Sequence, residues 1–275
     1  GKSVIVTNEA DFMKYISAPD PYIILVKGTI DLSQGAKMRK VASNKTIIGL
    51  EDAVLNGGGL ALEGVKNVII RNLTFRNSRD DSIEIRNKAE NIWIDHNRFE
   101  PAVDGSIDIR HETVNVVMSW NHFVDTGKTL GIGAGGTPED QPMRLTYHHN
   151  MFDNANSRNP SVSYAHAHVF NNYYHEVRNY AIRAREGDVL AESNFFYNTK
   201  TTMEIFDETG SGDGNIEERN NVFVNSGEPV SNAKVFDPWE NYTYSMDPAD
   251  QLNTLVPEWV GVGKIKTDIY LKYVE

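Results

Sequence analysis

The sequence predicts an all-β protein, a right-handed parallel β-helix closed by a short N-terminal capping helix. Three observations predict it. A short pattern recurs: alternating apolar residues, then Asn, one further residue, and Phe or Tyr. Its Asn positions are 72, 97, 121, 150, 172, 194 and 221, so the copies lie 22 to 29 residues apart. The alternation has the period of two that belongs to strands, with no helical stripe. A repeat this short cannot enclose a core of its own, whereas stacked coils can. Leucine-rich repeats share the period but need a leucine consensus that is missing, and a propeller blade needs ~40 residues or more.

Residues 8–17, Asn8 to Ser17, read as a short helix, because Asn8 offers an N-cap with Asp11 three residues on. An open coil stack exposes its core, and this helix is expected to plug that end. Coils are expected over residues 20–230, with seven or eight clear copies across 45–230. Clear examples are Ile92-Trp93-Ile94-Asp95-His96-Asn97-Arg98-Phe99 and Val117-Met118-Ser119-Trp120-Asn121-His122-Phe123. Each Asn is expected at the same turn, its amide bonding the coils above and below, with the following aromatic stacked inside. The copy around Asn72 differs slightly. Residues 131–143, with Gly131, Gly133, Gly135, Gly136, Pro138 and Pro142, fit a loop inserted into one coil. Residues 231–275 carry no repeat and are expected to run over the outside of the stack as loops and a short helix. Residues 1–275 are thus expected to form a single domain.

The net charge is −11 and the pI about 5.2, which argues against a nucleic-acid partner. No window approaches ~20 apolar residues, so no membrane span is expected. There is no cysteine, which excludes disulfides, thiolate metal sites and a cysteine nucleophile. The chain does not open on a basic segment and an apolar run. A secreted monomer whose leader has been removed is the expectation.

Three motif matches fail. His111-Glu112-Thr113-Val114-Asn115 begins like a zinc-protease motif but lacks the second His. The glycines between Gly131 and Gly136 match a dinucleotide pattern, but Pro138 stands where a helix should start. His166 and His168 share one strand face, where stacked or edge histidines are commoner than a metal pair.

The period itself gathers a more pointed set. Asp81, Asp104 and Lys128 are separated by 23 and 24 residues, one coil each, and should stack on one wall at ~4.8 Å per coil. Asp108 lies four residues past Asp104, with Gly105 between. Arg158 lies one coil plus an insertion past Lys128. Carboxylates packed that closely must be neutralised by protons or a cation. Oxygen ligands alone suit a hard ion such as Ca2+. A surface ladder of weak charge pairs is the other reading of the same spacing.

At this point the sequence resembles polysaccharide lyase family 1, the pectate lyases. Asn91-Ile92-Trp93-Ile94-Asp95-His96 is similar to the family's IWIDH signature. Ser43 to Gly49 and Asn67 to Leu73 resemble its N-terminal segments, and Asp104-Gly105-Ser106-Ile107-Asp108 its DGxxD stretch. Leu145 to Phe152, Arg158-Asn159-Pro160 and His168 to Tyr174 follow in the family's order, so the likeness covers roughly residues 1–225. The resemblance implies β-elimination on (1→4)-linked galacturonan, leaving a 4,5-unsaturated sugar. It puts Asp81, Asp104 and Asp108 on Ca2+, Lys128 on the substrate and Arg158 at the proton to be removed. The implied partner is an acidic polysaccharide. Arginine side chains hold their proton to about pH 12, so an arginine base would favour alkaline conditions.

Three departures bear on those roles. Arg79 stands where the family places an acidic ligand, with Asp80 next to it. Ser163 replaces a second arginine five residues beyond Arg158, so one substrate contact is lost or supplied by Arg183 or Arg185. The segment before Lys128, Asp125-Thr126-Gly127, lacks the common histidine. A pectin lyase, a β-helix hydrolase using a carboxylate pair, and a non-catalytic binding β-helix are the alternatives.

Overall fold

Six coils bend where a residue with a left-handed backbone precedes the recurring Asn. His96, Trp120, His149, Asn171, Ser193 and Asn220 all have φ between +50° and +55°. The bend takes two residues, and a new strand starts directly after the Asn. The computed structural model describes residues 1–133, 143–206, 214–240, 242–271 and 274. Its strands form three parallel sheets of ten, nine and eight strands, a β-solenoid of about nine turns. Successive strands of a sheet come from successive coils. In the ten-stranded sheet Ile92 pairs with Val68 on one side and Val116 on the other.

The buried Asn residues join the coils into a ladder. Asn172 Oδ1 accepts from Asn150 N at 2.9 Å and Asn150 Nδ2 at 3.0 Å. Asn172 Nδ2 in turn donates to Tyr147 O at 2.9 Å and Asn194 Oδ1 at 3.0 Å. The same pattern runs from Asn97 through Asn121 and Asn150 to Asn221. The ladder satisfies amides in a core that no water can reach. Asn72 is the exception: Leu73 takes the inward slot, and Asn72 bonds Gly49 O and Gly263 N. Beside the ladder Phe75, Phe99, Phe123, Phe152, Tyr174, Phe196 and Phe223 stack with centroids 4.5–5.2 Å apart. Burial of each such ring contributes ~1.5–3 kcal/mol, and stacking adds ~0.5–1.5 kcal/mol.

Helix α1, Glu9–Ile16, forms where Asn8 accepts from Asp11 N at 2.9 Å, and it buries Phe12 and Ile16 in the core. The coil stack begins earlier than the repeat shows. Lys2–Val6 pairs with Tyr22–Val26 in the ten-stranded sheet, so helix α1 joins two strands of the stack. These early strands lack the Asn that marks later coils. In the C-terminal segment helix α2, Leu252–Trp259, packs Leu252 and Val256 on Met151, Tyr173 and Phe195. A short helix α3, Asp268–Leu271, follows. Most of the insertion read at 131–143, residues 134–142, lies outside the described residues.

Candidate active site

The outer face of the eight-stranded sheet carries the charged wall. Asp81, Asp104, Asp108, Lys128 and Arg158 line one cleft of about 170 Å3, together with Gly105, Arg110 and Gly131. Asp81 and Asp104 stand just before the strands Ile83–Arg86 and Gly105–Ile109, and Lys128 opens the strand Lys128–Ile132. In the middle of these strands period two sends every second side chain outward. One outward row runs Glu84, Asp108, Gly131, Ser161, Arg183, Glu204, each in register with the next. Arg158 sits in the turn leading to Ser161–Ser163, at φ +60°. Its carbonyl accepts from Leu130 N at 2.6 Å and the next amide donates to Ala181 O, so its backbone is held from both sides.

Two glycines make the convergence possible. A Cβ on Gly105 would stand 2.8 Å from Asp81 Oδ1. One on Gly131 would stand 2.7 Å from Asp108 Oδ1 and 3.3 Å from Arg158 Nη1. The acidic groups therefore reach across the sheet over strands that carry no side chain at the crossing point.

The acids do not share one electrostatic state. Burial, then Asp108, Asp104 and Asp80, push the Asp81 carboxyl up to about 7. Asp104 is held below the usual range by its bond from Lys128 Nζ, 2.6 Å long. Burial raises Asp108, against the opposing pull of Arg110 and Arg158. Asp81 is thus half-protonated near neutrality, and a cation arriving there would take the proton's place.

Carboxylate oxygens of Asp80, Asp81 and Asp104 lie within 4.8 Å of one another. Asp108 lies in the same cleft, but its Oδ2 pairs with Arg110 Nη2 at 2.6 Å. Its Oδ1 is buried with no hydrogen-bond partner among the described residues. Sequence reasoning gave no role to Asp80 or Arg110. Arg110 was findable, since it stands two residues past outward-facing Asp108. Asp80 follows no alternation, since residues 79–81 lie outside the strands, and its one signal was its place between Arg79 and Asp81. Arg79 does not enter the cleft. It donates to the carbonyls of Gly57, Leu32, Gly35 and Ala36 and fastens the loop around residues 32–36.

Arg183 and Arg185 are further along the same sheet, in register with Ser161 and Ser163. Arg183 pairs with Glu204, and its guanidinium lies 3.7 Å from the Tyr180 ring centroid and 4.7 Å from that of Phe206. His166 and His168 do not form a metal pair: His168 bonds Tyr242 and Glu192, and His166 faces Asp188 at 3.3 Å.

A larger cavity of about 1120 Å3 lies elsewhere, between the ten-stranded sheet and the C-terminal segment. Trp93, Ile69, Val117, Phe236 and Tyr244 are among its walls, and it shares no residue with the charged cleft. Its walls carry Arg144, His148, His166 and His168, but among the described residues no carboxylate lines it.

A family model described as pectate lyase matches residues 1–264. A pectate trisaccharide-lyase of Bacillus licheniformis is 31% identical, covering 96% of this chain and 82% of the relative. One of Thermotoga maritima is 32% identical, covering 96% and 83%. Among solved structures, a pectate lyase from Bacillus sp. N165 in complex with trigalacturonate superposes with a TM-score of 0.85 at 28% identity, over 97% of this chain and 95% of that one. Pectate lyase II from Xanthomonas campestris gives 0.82 at 25% identity, over 95% and 94%. The solenoid, the wall of acids facing cations, and a likeness spanning nearly the whole chain converge: this protein belongs to the pectate lyase family of polysaccharide lyases.

Proposed function

We propose that the protein cleaves (1→4)-α-D-galacturonan by Ca2+-assisted β-elimination, releasing 4,5-unsaturated oligogalacturonates. The observation that carries this reading is the joining of Asp80, Asp81, Asp104, Asp108, Lys128 and Arg158 around one cleft. The names of the relatives and the trigalacturonate bound in the Bacillus sp. N165 structure support it.

The residues present fit a Ca2+ ion. The donors are all carboxylate oxygens, the choice of a hard cation. Asp108 also keeps one buried oxygen without a partner among the described residues. Asp80, Asp81 and Asp104 would hold the ion, with Asp108 beside them. Once bound, the ion would stabilise negative charge growing on a uronate carboxylate.

The chain's own side chains then do the following. The C5 hydrogen of a galacturonate lies α to its carboxylate, so its removal adds charge to a group already anionic. Lys128 Nζ, on the cleft rim, faces that charge. A neutral Arg158 guanidine takes the C5 proton. The C5–H electron pair becomes the C4–C5 double bond, the C4–O bond breaks, and the departing oxygen takes a proton from solvent. Fixing Arg158 between two neighbouring coils spares the reorientation that a mobile base would need. A polymeric substrate places the enzyme outside the cell.

The test is the ultraviolet absorbance of the conjugated product from polygalacturonate, with and without a chelator. Absorbance that grows only without chelator is the expected result. Hydrolysis without absorbance would replace elimination with a glycosidase mechanism, and full activity in chelator would remove the metal.

A further inference from the structure

The charged face of the eight-stranded sheet grows more cationic along its length. Its N-terminal coils present Asp80, Asp81, Asp104, Glu84 and Asp108, with Arg86 and Arg110 paired to Glu84 and Asp108, and its later coils present Lys128, Arg158, Arg183 and Arg185. The last described strand, Met203–Ile205, forms the edge of the sheet, and its one central residue is Glu204. Glu204 is in register with Arg183 and pairs with Arg183 Nε. The Arg183 plane is fixed from other sides by Tyr180 and Phe206. From the Asp108 strand to the Glu204 strand are four sheet spacings, about 19 Å at ~4.8 Å each.

We propose that Glu204 ends the anion-binding face and so sets how long a uronate chain the cleft holds. The proposal rests on the galacturonan reading above. A uronate crossing Lys128 and Arg158 next reaches Arg183, whose charge Glu204 already neutralises. A sugar beyond Arg183 meets a carboxylate of its own sign. Arg183 can offer a full positive charge to substrate only if Glu204 withdraws, and both its aromatic neighbours hold it in place. Short chains that stop before the edge strand are indifferent to Glu204, and long chains feel it.

Glu204→Gln tests this, since glutamine keeps the shape and one acceptor toward Arg183 while removing the charge. With folding checked by thermal melt, KM is measured for oligogalacturonates of three to six sugars. We expect KM for the longest to fall about two- to fivefold, the range of a partly exposed charge contact. Trimer KM and kcat stay unchanged, and unsaturated products become longer. The gain fades in ~1 M salt, where the screening length is ~3 Å. In an Arg183→Gln background the same change gives a smaller gain, because only the repulsion by Glu204 is then removed. A KM that rises, or that shifts equally at every length, overturns the proposal and leaves Glu204 a positioning residue for Arg183. Calorimetric binding of hexagalacturonate needs no turnover. The predicted affinity difference in a chain that forms no unsaturated product would sink the elimination reading alone.

Discussion

Gly131 lies in register with Asp108, and a single methyl group on it would stand 2.7 Å from Asp108 Oδ1 and 3.3 Å from Arg158 Nη1. The acid and the arginine meet over a residue with no side chain. Gly131→Ala should therefore push the two apart. Shifts of about 1 Å at reacting groups can cost ~10²-fold, so turnover should fall at least about tenfold. The strand backbone is ordinary for alanine, and the melting temperature should move by no more than a few degrees. Paired kinetics and melting curves decide it. Unchanged turnover would mean that Asp108 and Arg158 need not approach each other.

Arg158→Ala should abolish elimination and leave the fold intact. The side chain lines the cleft, and what its backbone contributes, the Leu130 N to Arg158 O bond, survives the change. A general base contributes ~10²-fold or more. Retention of more than about a tenth of wild-type turnover would show that another group takes the proton.

The repeat and its alternation made the wall legible, because one coil per 23 or 24 residues returns a side chain to the same place. Asp81, Asp104 and Lys128 were aligned by that count alone. Arg79 was not legible in the same way. It stands where the resemblance implies an acidic ligand, yet it points to the carbonyls of Gly57, Leu32, Gly35 and Ala36. Direction outside strands depends on which carbonyls lie within reach, and no periodicity encodes that. Nor could spacing foresee that Arg110 occupies one Asp108 oxygen. The first strand, Lys2–Val6, was illegible because no inward Asn tags it.

That ladder predicts a specific stability loss. Asn172→Ala would leave Asn150 N without its acceptor and take one donor each from Tyr147 O and from Asn194 Oδ1, which keeps Asn172 N, all in a region closed to water. A buried group orphaned in this way costs ~1–3 kcal/mol, so a loss in that range is expected. Chemical denaturation should show a lower midpoint. A midpoint within error of wild type would mean that the coils carry their neighbours without the side-chain amides.

Asp81 should give the metal-free protein a distinct pH response. Burial and the neighbouring Asp108, Asp104 and Asp80 push its folded value up to about 7, above the 3.8 of an exposed aspartate. The folded chain then holds a proton that the unfolded chain has already released. This group's contribution to stability is complete below about pH 4 and is lost as pH rises through about 7. In chelator, the melting temperature of Asp81→Asn minus that of wild type should grow from pH 4 to pH 7 and then level off. Added Ca2+ at pH 8 should raise wild type more than the variant. A difference that stays constant over that range would mean that Asp81 ionises like an exposed acid.

Substrate charge gives the last test. Ser163, where relatives of this type were expected to carry a second arginine, makes the groove locally less cationic. Yet Ser163 is in register with Arg185, so the next coil brings that guanidinium to the same face, beside an Arg183 that Glu204 neutralises. A methyl ester removes the free carboxylate that Ca2+, Lys128 and Arg158 all recognise, and charge-assisted bonds are roughly twice as strong as neutral ones. Three clustered acids and the cations beyond them outweigh one missing arginine. De-esterified galacturonan should be cleaved faster than highly methylated pectin, at matched Ca2+ and alkaline pH. Arg185→Gln should narrow that margin by weakening the charged substrate and not the ester. Faster cleavage of the methylated polymer by wild type would mean that the cleft does not read the uronate charge.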